Sequence, residues 1–536
     1  MYQIYPRSFQ DSNADGIGDL PGITRRLDYI ARLGVDAIWI SPFFKSPMAD
    51  FGYDIADFRD VDPIFGTLAD FDTLLAEAHH LGLKVIIDQV PSHTSIAHAW
   101  FQQSRASRDN AKADWYVWAD PRDDGTPPNN WLSIFGGSAW QWEPRRQQYY
   151  LHNFLPDQPD LNFHEPDVSD AVLGNLRFWL ERGVDGFRLD SINFCFHDRL
   201  LRDNPAKPAH QRFGRGYSEE SPYAYQYHWF NNTQPENLAF LQRLRQLLDH
   251  YPNAVALGEV SSEDSLATMA EYTGNARLHM SYSFELLTDQ CSAGFIRNTV
   301  EALEQQMPHG WPCWAISNHD CVRVRSRWLP ADAPCHAASV LTALACSLRG
   351  SVCVYQGEEL GLPEADVPYH ALRDPYGIAF WPNSKGRDGC RTPMPWQDAE
   401  FGGFSTCAPW LPIDAPQRGM NVAMQESLEH SPLQRFLRFM QWRRNQPSLQ
   451  WGDIQFLDAP EPLLGFVRTF DNETMLAIFN LGNEAMTLEL PPGIVRVHDD
   501  HGLPCAIIEN GTIRFGGYSV LFADVESRAA IKRLVR

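Results

Sequence analysis

Several things are missing from this chain of 536 residues, and each absence removes a class of function. No stretch of eighteen apolar residues occurs, so nothing in it reads as a membrane span. The opening MYQIYPRSFQ has no basic start followed by an apolar run, so secretion is not indicated either. No basic patch is segregated: 45 Lys and Arg face 67 Asp and Glu, and a net charge of -22 repels a phosphate backbone. Nucleic acid is therefore excluded as a partner. The ten cysteines include no C-x-x-C pair, and a chain this long needs no disulfide staples, which predicts reduced thiols and a cytoplasmic location. There is no H-E-x-x-H, no internal repeat and no low-complexity tract.

What is present is an ordinary globular composition with a surplus of rings. Hydrophobic residues make up 44% and charged residues 21%, enough apolar surface for a large core. The 17 Trp, 18 Tyr and 31 Phe suit a flat-faced ligand such as a sugar, although core packing also uses them.

Short β-rich runs alternate with amphipathic stretches. The runs are Gln3–Tyr5, Ala37–Ile40, Val85–Val90, Gly186–Ile192, Ala254–Val260, Leu278–Phe284, Trp314–Asn318 and Val352–Tyr355. Helical spacing marks Ile23–Leu33, Ala69–Leu81, Asp170–Arg182, Pro235–His250, Gly294–Gln306 and Cys335–Arg349 between them. Eight such units predict an α/β fold, a closed (β/α)₈ TIM barrel over residues 1–93 and 170–455. Residues 94–169 break the alternation with Pro, Gly, Asn and Asp clusters, too long for a loop, and predict a subdomain inserted after strand three. From 456 to 536 the pattern becomes short alternating strands, a C-terminal β-sandwich domain.

Chemistry in such a barrel belongs at the C-terminal ends of the strands. Strand three (VIIDQVPSH) places Asp88 and His93 there, strand four (GFRLDSIN) Arg188 and Asp190, strand five (ALGEV) Glu259, and strand seven (AISNHD) His319 and Asp320. One acid at a strand end is usually a helix cap. Several acids converging with two His and an Arg are not explained that way. A carboxylate beneath and a proton donor above one bond is the equipment of glycosidic cleavage, whose transition state is oxocarbenium-like. An Arg two residues before Asp190 competes with any metal for that carboxylate and favours its ionised form.

The motifs QPDLN (158–162), GFRLDSIN, GEV, SNHD and YQGEELG (355–361), after the opening YQIYPRSFQDSNADGIGDL, resemble the α-amylase family of glycoside hydrolases (glycoside hydrolase family 13). Their order and spacing are most similar to its bacterial α-glucosidase and oligo-1,6-glucosidase branch, over essentially the whole chain. The resemblance implies Asp190 as nucleophile, Glu259 as general acid/base and Asp320 as the stabiliser that holds the distorted sugar. It also implies Asp50 and Arg387 as ligands of the outer hydroxyls and Tyr53 as a stacking platform. His93, Arg188 and His319 would donate around the reacting ring, and Phe135 and Phe154 would be walls from the inserted subdomain. Retention by two displacements sets the expected separation of the Asp190 and Glu259 carboxyls at about 5 to 5.5 Å.

The run DSNADGIGD alternates Asp11, Asn13, Asp15, Ile17 and Asp19 with Gly16 at the sixth position, like the first half of an EF-hand loop. The twelfth position is Gly22 rather than Glu, so the expectation is one hard cation, Ca²⁺ or Mg²⁺, and the resemblance supports such a structural site. A turn held by Asx hydrogen bonds is the competing reading. The glycines of GIGDLPG do not make a dinucleotide fingerprint: the third comes one position late, and Asp15 and Asp19 would repel a pyrophosphate. No organic cofactor is expected.

In this branch the residue after the nucleophile tracks linkage, Val with α-1,6 and smaller or polar residues with α-1,4 cleavage. Here it is Ser191, which points to maltose-type substrates. The long segment 194–232 would roof the pocket and impose exo action, and a covalent glucosyl intermediate brings transglucosylation with it. The expected activity is thus an exo-acting, retaining α-glucosidase on short oligosaccharides or other α-glucosides. An oligo-1,6-glucosidase or a sucrose- or trehalose-converting enzyme is the alternative, and a non-enzymatic homologue is disfavoured by the intact carboxylates. Two departures stand out: Pro91 and Ser92 where the family usually has an aliphatic residue and Asn, and a start inside the first strand motif.

Overall fold

The computed structural model describes residues 1–212 and 221–526. Its central sheet consists of β1 (Tyr2–Ile4), β2 (Ala37–Ile40), β3 (Lys84–Gln89), β4 (Gly186–Leu189), β5 (Val255–Glu259), β6 (Met280–Ser283), β7 (Pro312–Trp314) and β8 (Ser351–Val352 continuing in Val354–Tyr355). Every neighbouring pair from β1 to β8 is parallel. The first half of β8 pairs with β7 and the second half with β1, which closes the cylinder. Helices cover the outside, so β4 and most of β3 are buried, as a parallel sheet covered on its outer face requires.

Local signals set the helix limits. The helix Leu68–His80 starts at a capping box formed by Thr67 and Asp70. Pro166 near the first turn and Gly183 in the left-handed region bound the helix Pro166–Arg182, which starts four residues before the periodicity suggests. The stretch expected as one helix from Ile23 to Leu33 is two, Leu20–Arg25 and Leu27–Arg32. Between them Arg26 leaves helical geometry and lays its guanidinium 4.0 Å over the Trp396 ring. That partner lies far along the chain, beyond the reach of a local pattern.

Between β3 and the helix at Pro166, a small antiparallel sheet joins Trp118–Ala119, Gln148–Leu151 and Trp140–Glu143. Past Gly452, a five-stranded and a three-stranded antiparallel sheet form a separate β module with its own apolar cluster around Leu476, Ile478 and Leu521. The strands Ile507–Glu509 and Thr512–Phe515, absent from the sequence reading, complete it. Arg468 ties that module to the barrel: fully buried, it donates to the carbonyls of Ser347 and Gly452. Among the described residues no helix is long and apolar enough to cross a membrane.

Candidate active site

Arg188 is the centre of the site. It lies in β4 with no exposed surface, and Val184, at the start of the approach to the strand, Phe187 and Leu189 hold the surrounding backbone in the core. Its Nη1 donates to Asp88 Oδ1 at 3.0 Å and to Asp190 Oδ1 at 2.6 Å, and its Nη2 donates to Glu259 Oε1. One guanidinium therefore gathers carboxylates from the ends of three adjacent strands, β3, β4 and β5. A planar fork with several donors can do this, and a point charge cannot. Asp190 follows β4 directly, and the next residue, Ser191, bends back with φ of 43°, a left-handed conformation that costs a non-glycine residue about 1–3 kcal/mol. That bend aims the Ser191 N–H at Glu259 Oε2, 2.9 Å away.

The environments of the acids differ. Burial raises Glu259 well above the ordinary glutamate range, with Arg188 pulling the other way. Burial likewise pushes Asp88 up to about 7. Burial opposes ionisation of Asp320 too, yet His319, Arg391 and Arg387 hold it well below the usual range. Burial also lowers His319 to about 3, so at neutral pH the guanidiniums of Arg391, Arg387 and, less strongly, Arg188 are the charges that act on Asp320. Arg391 Nη2 donates to Asp320 Oδ1 at 2.8 Å, and its Nε to the His319 carbonyl at 2.7 Å.

A second arginine closes the outer side. Arg387 donates to Asp50 Oδ1 at 2.7 Å and to Asp374 Oδ1 at 2.8 Å, and reaches Asp320 at 3.4 Å. Its guanidinium carbon lies 5.4 Å from the centre of the Phe135 ring, so a wall of the inserted segment meets the barrel there. On the other flank Phe154 lies 5.0 Å from the His93 ring and 5.3 Å from Phe194. His93 is buried and lowered to about 4 by burial; its Nδ1 is 3.0 Å from Ser92 Oγ, so the serine supplies a hydrogen-bond partner at that position. Tyr53 donates to Asp88 Oδ2 at 3.0 Å and stacks on His319 with 4° between the planes. It is thus tied into the acid cluster as well as offering a ring. The side chains of Asp320 and Arg387 keep 24% and 16% of their surface exposed and lie nearest solvent, whereas Asp190 keeps 11% and Glu259 7%.

The structure brings together Asp50, Tyr53, His93, Phe135, Phe154, Arg188, Asp190, Glu259, His319, Asp320 and Arg387 in this one constellation. Sequence reasoning missed Gln158, which sits 3.2 Å from both Asp50 Oδ2 and His93 Nε2 although it opens the QPDLN motif. It also missed Asp374 and Arg391. Arg391 shares the run GRDGCRT with Arg387, while Asp374 lies outside it in ALRDPYG, and the partners of both are set by tertiary contact. Of the segment 194–232, Phe194 reaches the site by packing on Phe154; residues 213–220 lie outside the described residues.

The Asp-rich loop lies apart from these residues. Asp11 Oδ1 accepts from the N–H groups of Asn13 and Ala14, and Oδ2 from Gly16 N–H and Ser405 Oγ. Asn13 accepts from Asp15 N–H, Asp15 from Ile17 N–H, and Asp19 from Ser12 and Gly22. These are successive Asx turns that occupy the loop's own oxygens. Among the described residues, no three His, Cys, Asp or Glu side chains converge as a metal site.

Comparison with known proteins agrees with this architecture. The family profile for the alpha amylase catalytic domain matches residues 3–452. A probable alpha-glucosidase of Rhizobium meliloti (strain 1021) is 54% identical over 528 residues, which is 98% of this chain and 96% of that one. Maltase 1 of Drosophila virilis is 37% identical over 512 residues, 91% of this chain and 79% of its own. The crystal structure of an alpha-glucosyl transfer enzyme, XgtA, matches with a TM-score of 0.97 and 64% identity, covering 98% of each chain.

Proposed function

This chain belongs to the α-amylase family of glycoside hydrolases, and from that premise we propose how its carboxylates divide the work. It is an α-glucosidase that acts on short α-glucosides from the non-reducing end and retains the configuration at C1. The observation that carries the reading is the pairing of Arg188 with both Asp190 and Glu259, while burial raises Glu259 above the ordinary glutamate range.

In the proposed cycle Asp190 attacks C1 of the bound glucose, forming a β-linked glucosyl ester. Glu259 gives its proton to the departing glycosidic oxygen, so the leaving group departs as a neutral alcohol. Glu259, now ionised, takes a proton from an incoming water or acceptor hydroxyl, whose oxygen attacks C1 and releases Asp190. The product keeps the α configuration because inversion happens twice. Arg188 donates to both Asp190 and Glu259 and so holds the two carboxyls beside each other. Asp320, held ionised by Arg391 and Arg387, accepts from ring hydroxyls, Asp50 and Arg387 bind the outer ones, and Tyr53, His93 and His319 line the ring.

Ser191 supports α-1,4 linkage as the preferred bond, since its small side chain sits beside Glu259 where the second sugar must lie. Likeness to the alpha-glucosyl transfer enzyme supports transfer to a hydroxyl acceptor as a second fate of the same ester. Cleavage of α-1,6 bonds or conversion of sucrose or trehalose would use the same residues. We propose residues 1–93 and 170–455 as the catalytic barrel, 94–169 as the inserted subdomain and 456–536 as the C-terminal domain. Ten free thiols support a reducing, cytoplasmic setting. A divalent cation at Asp11, Asn13, Asp15, Ile17 and Asp19 stays a proposal: alternation supports it, and the Asx turns that occupy those oxygens weigh against it.

The test is a hydrolysis panel of maltose, isomaltose, sucrose, trehalose and maltotriose with products followed over time. Free glucose from maltose at a rate well above that from isomaltose is expected. Asp190→Asn should abolish turnover, and an unchanged rate in that variant would remove Asp190 from its role.

A further inference from the structure

Gln3 lies in the middle of β1 with no exposed surface, and its side-chain Nε2 is 2.7 Å from His319 Nδ1. Among the described residues its carbonyl oxygen has no hydrogen-bond partner, a costly arrangement for a buried amide that asks for a reason. Nothing in the cycle above uses this residue.

The protons around His319 can be counted. Tyr53 has one hydroxyl proton. At 3.0 Å from it stands Asp88 Oδ2, an oxygen that also receives the indole N–H of Trp39 at 3.2 Å and a guanidinium N–H of Arg188 at 3.2 Å. Both of those groups can only donate, so Asp88 Oδ2 is an acceptor and the phenol proton goes to it. The phenol oxygen then meets His319 Nε2, 2.6 Å away, as an acceptor, which requires a proton on that nitrogen. Asp320 Oδ2, 3.2 Å from the same nitrogen, makes the same demand. Burial keeps the ring neutral, and a neutral imidazole carries one N–H only. Nδ1 is therefore bare and must accept, and the group facing it must be the NH₂ of Gln3.

We infer that Gln3 is a positioning residue that locks His319 in its Nε2–H form, so that this N–H, aimed between Tyr53 and Asp320, can be given to a hydroxyl of the bound glucose. The role of the glucose rests on the function proposed above; the tautomer does not. Gln3 is suited to the task because its donor is neutral. A lysine there would bury a charge against the His319 ring, and a carboxylate could only accept and would draw the ring proton to Nδ1. The position within a barrel strand fixes the amide, as a loop residue would not be fixed.

Two measurements test this on the full chain. With ¹⁵N-labelled histidine, and with His319→Gln to identify the signals that belong to residue 319, Nδ1 should show the shift of an unprotonated nitrogen and Nε2 that of a protonated one at pH 8, above the value of about 7 to which burial pushes Asp88. In Gln3→Glu the proton should move to Nδ1 and kcat on a p-nitrophenyl α-glucoside should fall on the order of 10-fold, about the worth of one neutral hydrogen bond. A proton on Nδ1 in the unaltered protein overturns the inference even if Gln3→Glu does not fold. So does a folded Gln3→Glu that keeps both the Nε2–H signal and the original kcat. If the unaltered protein hydrolyses no α-glucoside, the functional reading fails while the nitrogen shifts still decide the tautomer.

Discussion

Replacing Arg188 with lysine should separate what its charge does from what its shape does. The guanidinium makes its contacts through two nitrogens: Nη1 serves both Asp88 oxygens, at 3.0 and 3.2 Å, and Asp190 at 2.6 Å, while Nη2 serves Glu259. All four groups are buried. A lysine ammonium keeps the net charge but is a single point on a flexible stem, and it cannot span acids on three strands. At least one carboxylate then loses its partner in a largely buried site. Removing one member of a buried ion pair costs about 3–5 kcal/mol. Where about 3 kcal/mol of that loss falls on the transition state, because the nucleophile and the acid are no longer held in place, kcat/KM falls on the order of 100-fold at about 1.4 kcal/mol per factor of ten in rate. The assay is steady-state release of p-nitrophenol from its α-glucoside, with near-ultraviolet circular dichroism to confirm that the core is packed. A folded Arg188→Lys enzyme within threefold of the original kcat/KM would refute the reasoning, since the carboxylates would then have needed only a nearby positive charge.

Three further outcomes are expected. Glu259 must carry a proton to act as the acid, and burial raises its pKa, so activity is complete below that raised value and is lost as pH rises through it; a basic limb in kcat/KM near the ordinary glutamate value of about 4.3 would contradict this. Arg387→Ala removes donors from Asp50 and from the fully buried Asp374, and KM for maltose should rise on the order of 10-fold with a smaller change in kcat, read from initial rates across substrate concentration. Thermal unfolding with calcium and with EDTA decides the Asp-rich loop: a bound cation at about 100 times its Kd adds about 2.7 kcal/mol of stability and raises the midpoint, whereas an unchanged midpoint assigns the loop to its Asx turns.

Much of the molecule was legible in the sequence because its signals are local. Periodicity two and 3.6 marked the eight strands and most helices to within a few residues, since burial of one face is written residue by residue. The motifs around Asp190, Glu259 and Asp320 were legible for a related reason: in a barrel, a strand end is a place in space, so adjacent strands bring their last residues together without further information. The linkage expectation rests only on Ser191 and the resemblance, and the strained φ that turns the Ser191 N–H onto Glu259 had no sequence signal.

Composition and pattern by themselves determined the class: an acidic chain with intact carboxylates at strand ends, folded as a barrel with a β module behind it. Tertiary structure alone decided how those acids are wired. Arg387 meets Asp50 across 337 residues of chain and Arg391 meets Asp320 across 71, while Gln3 reaches His319 across 316. No spacing rule encodes such pairs: Gln3–His319 and Arg387–Asp50 need the barrel to close from its last strand onto its first, and Arg391–Asp320 needs the long segment after β8 to fold back over β7. Electrostatic identity followed the same route, since what makes Glu259 an acid and Asp320 an anion is the burial and the cations that closure places around them.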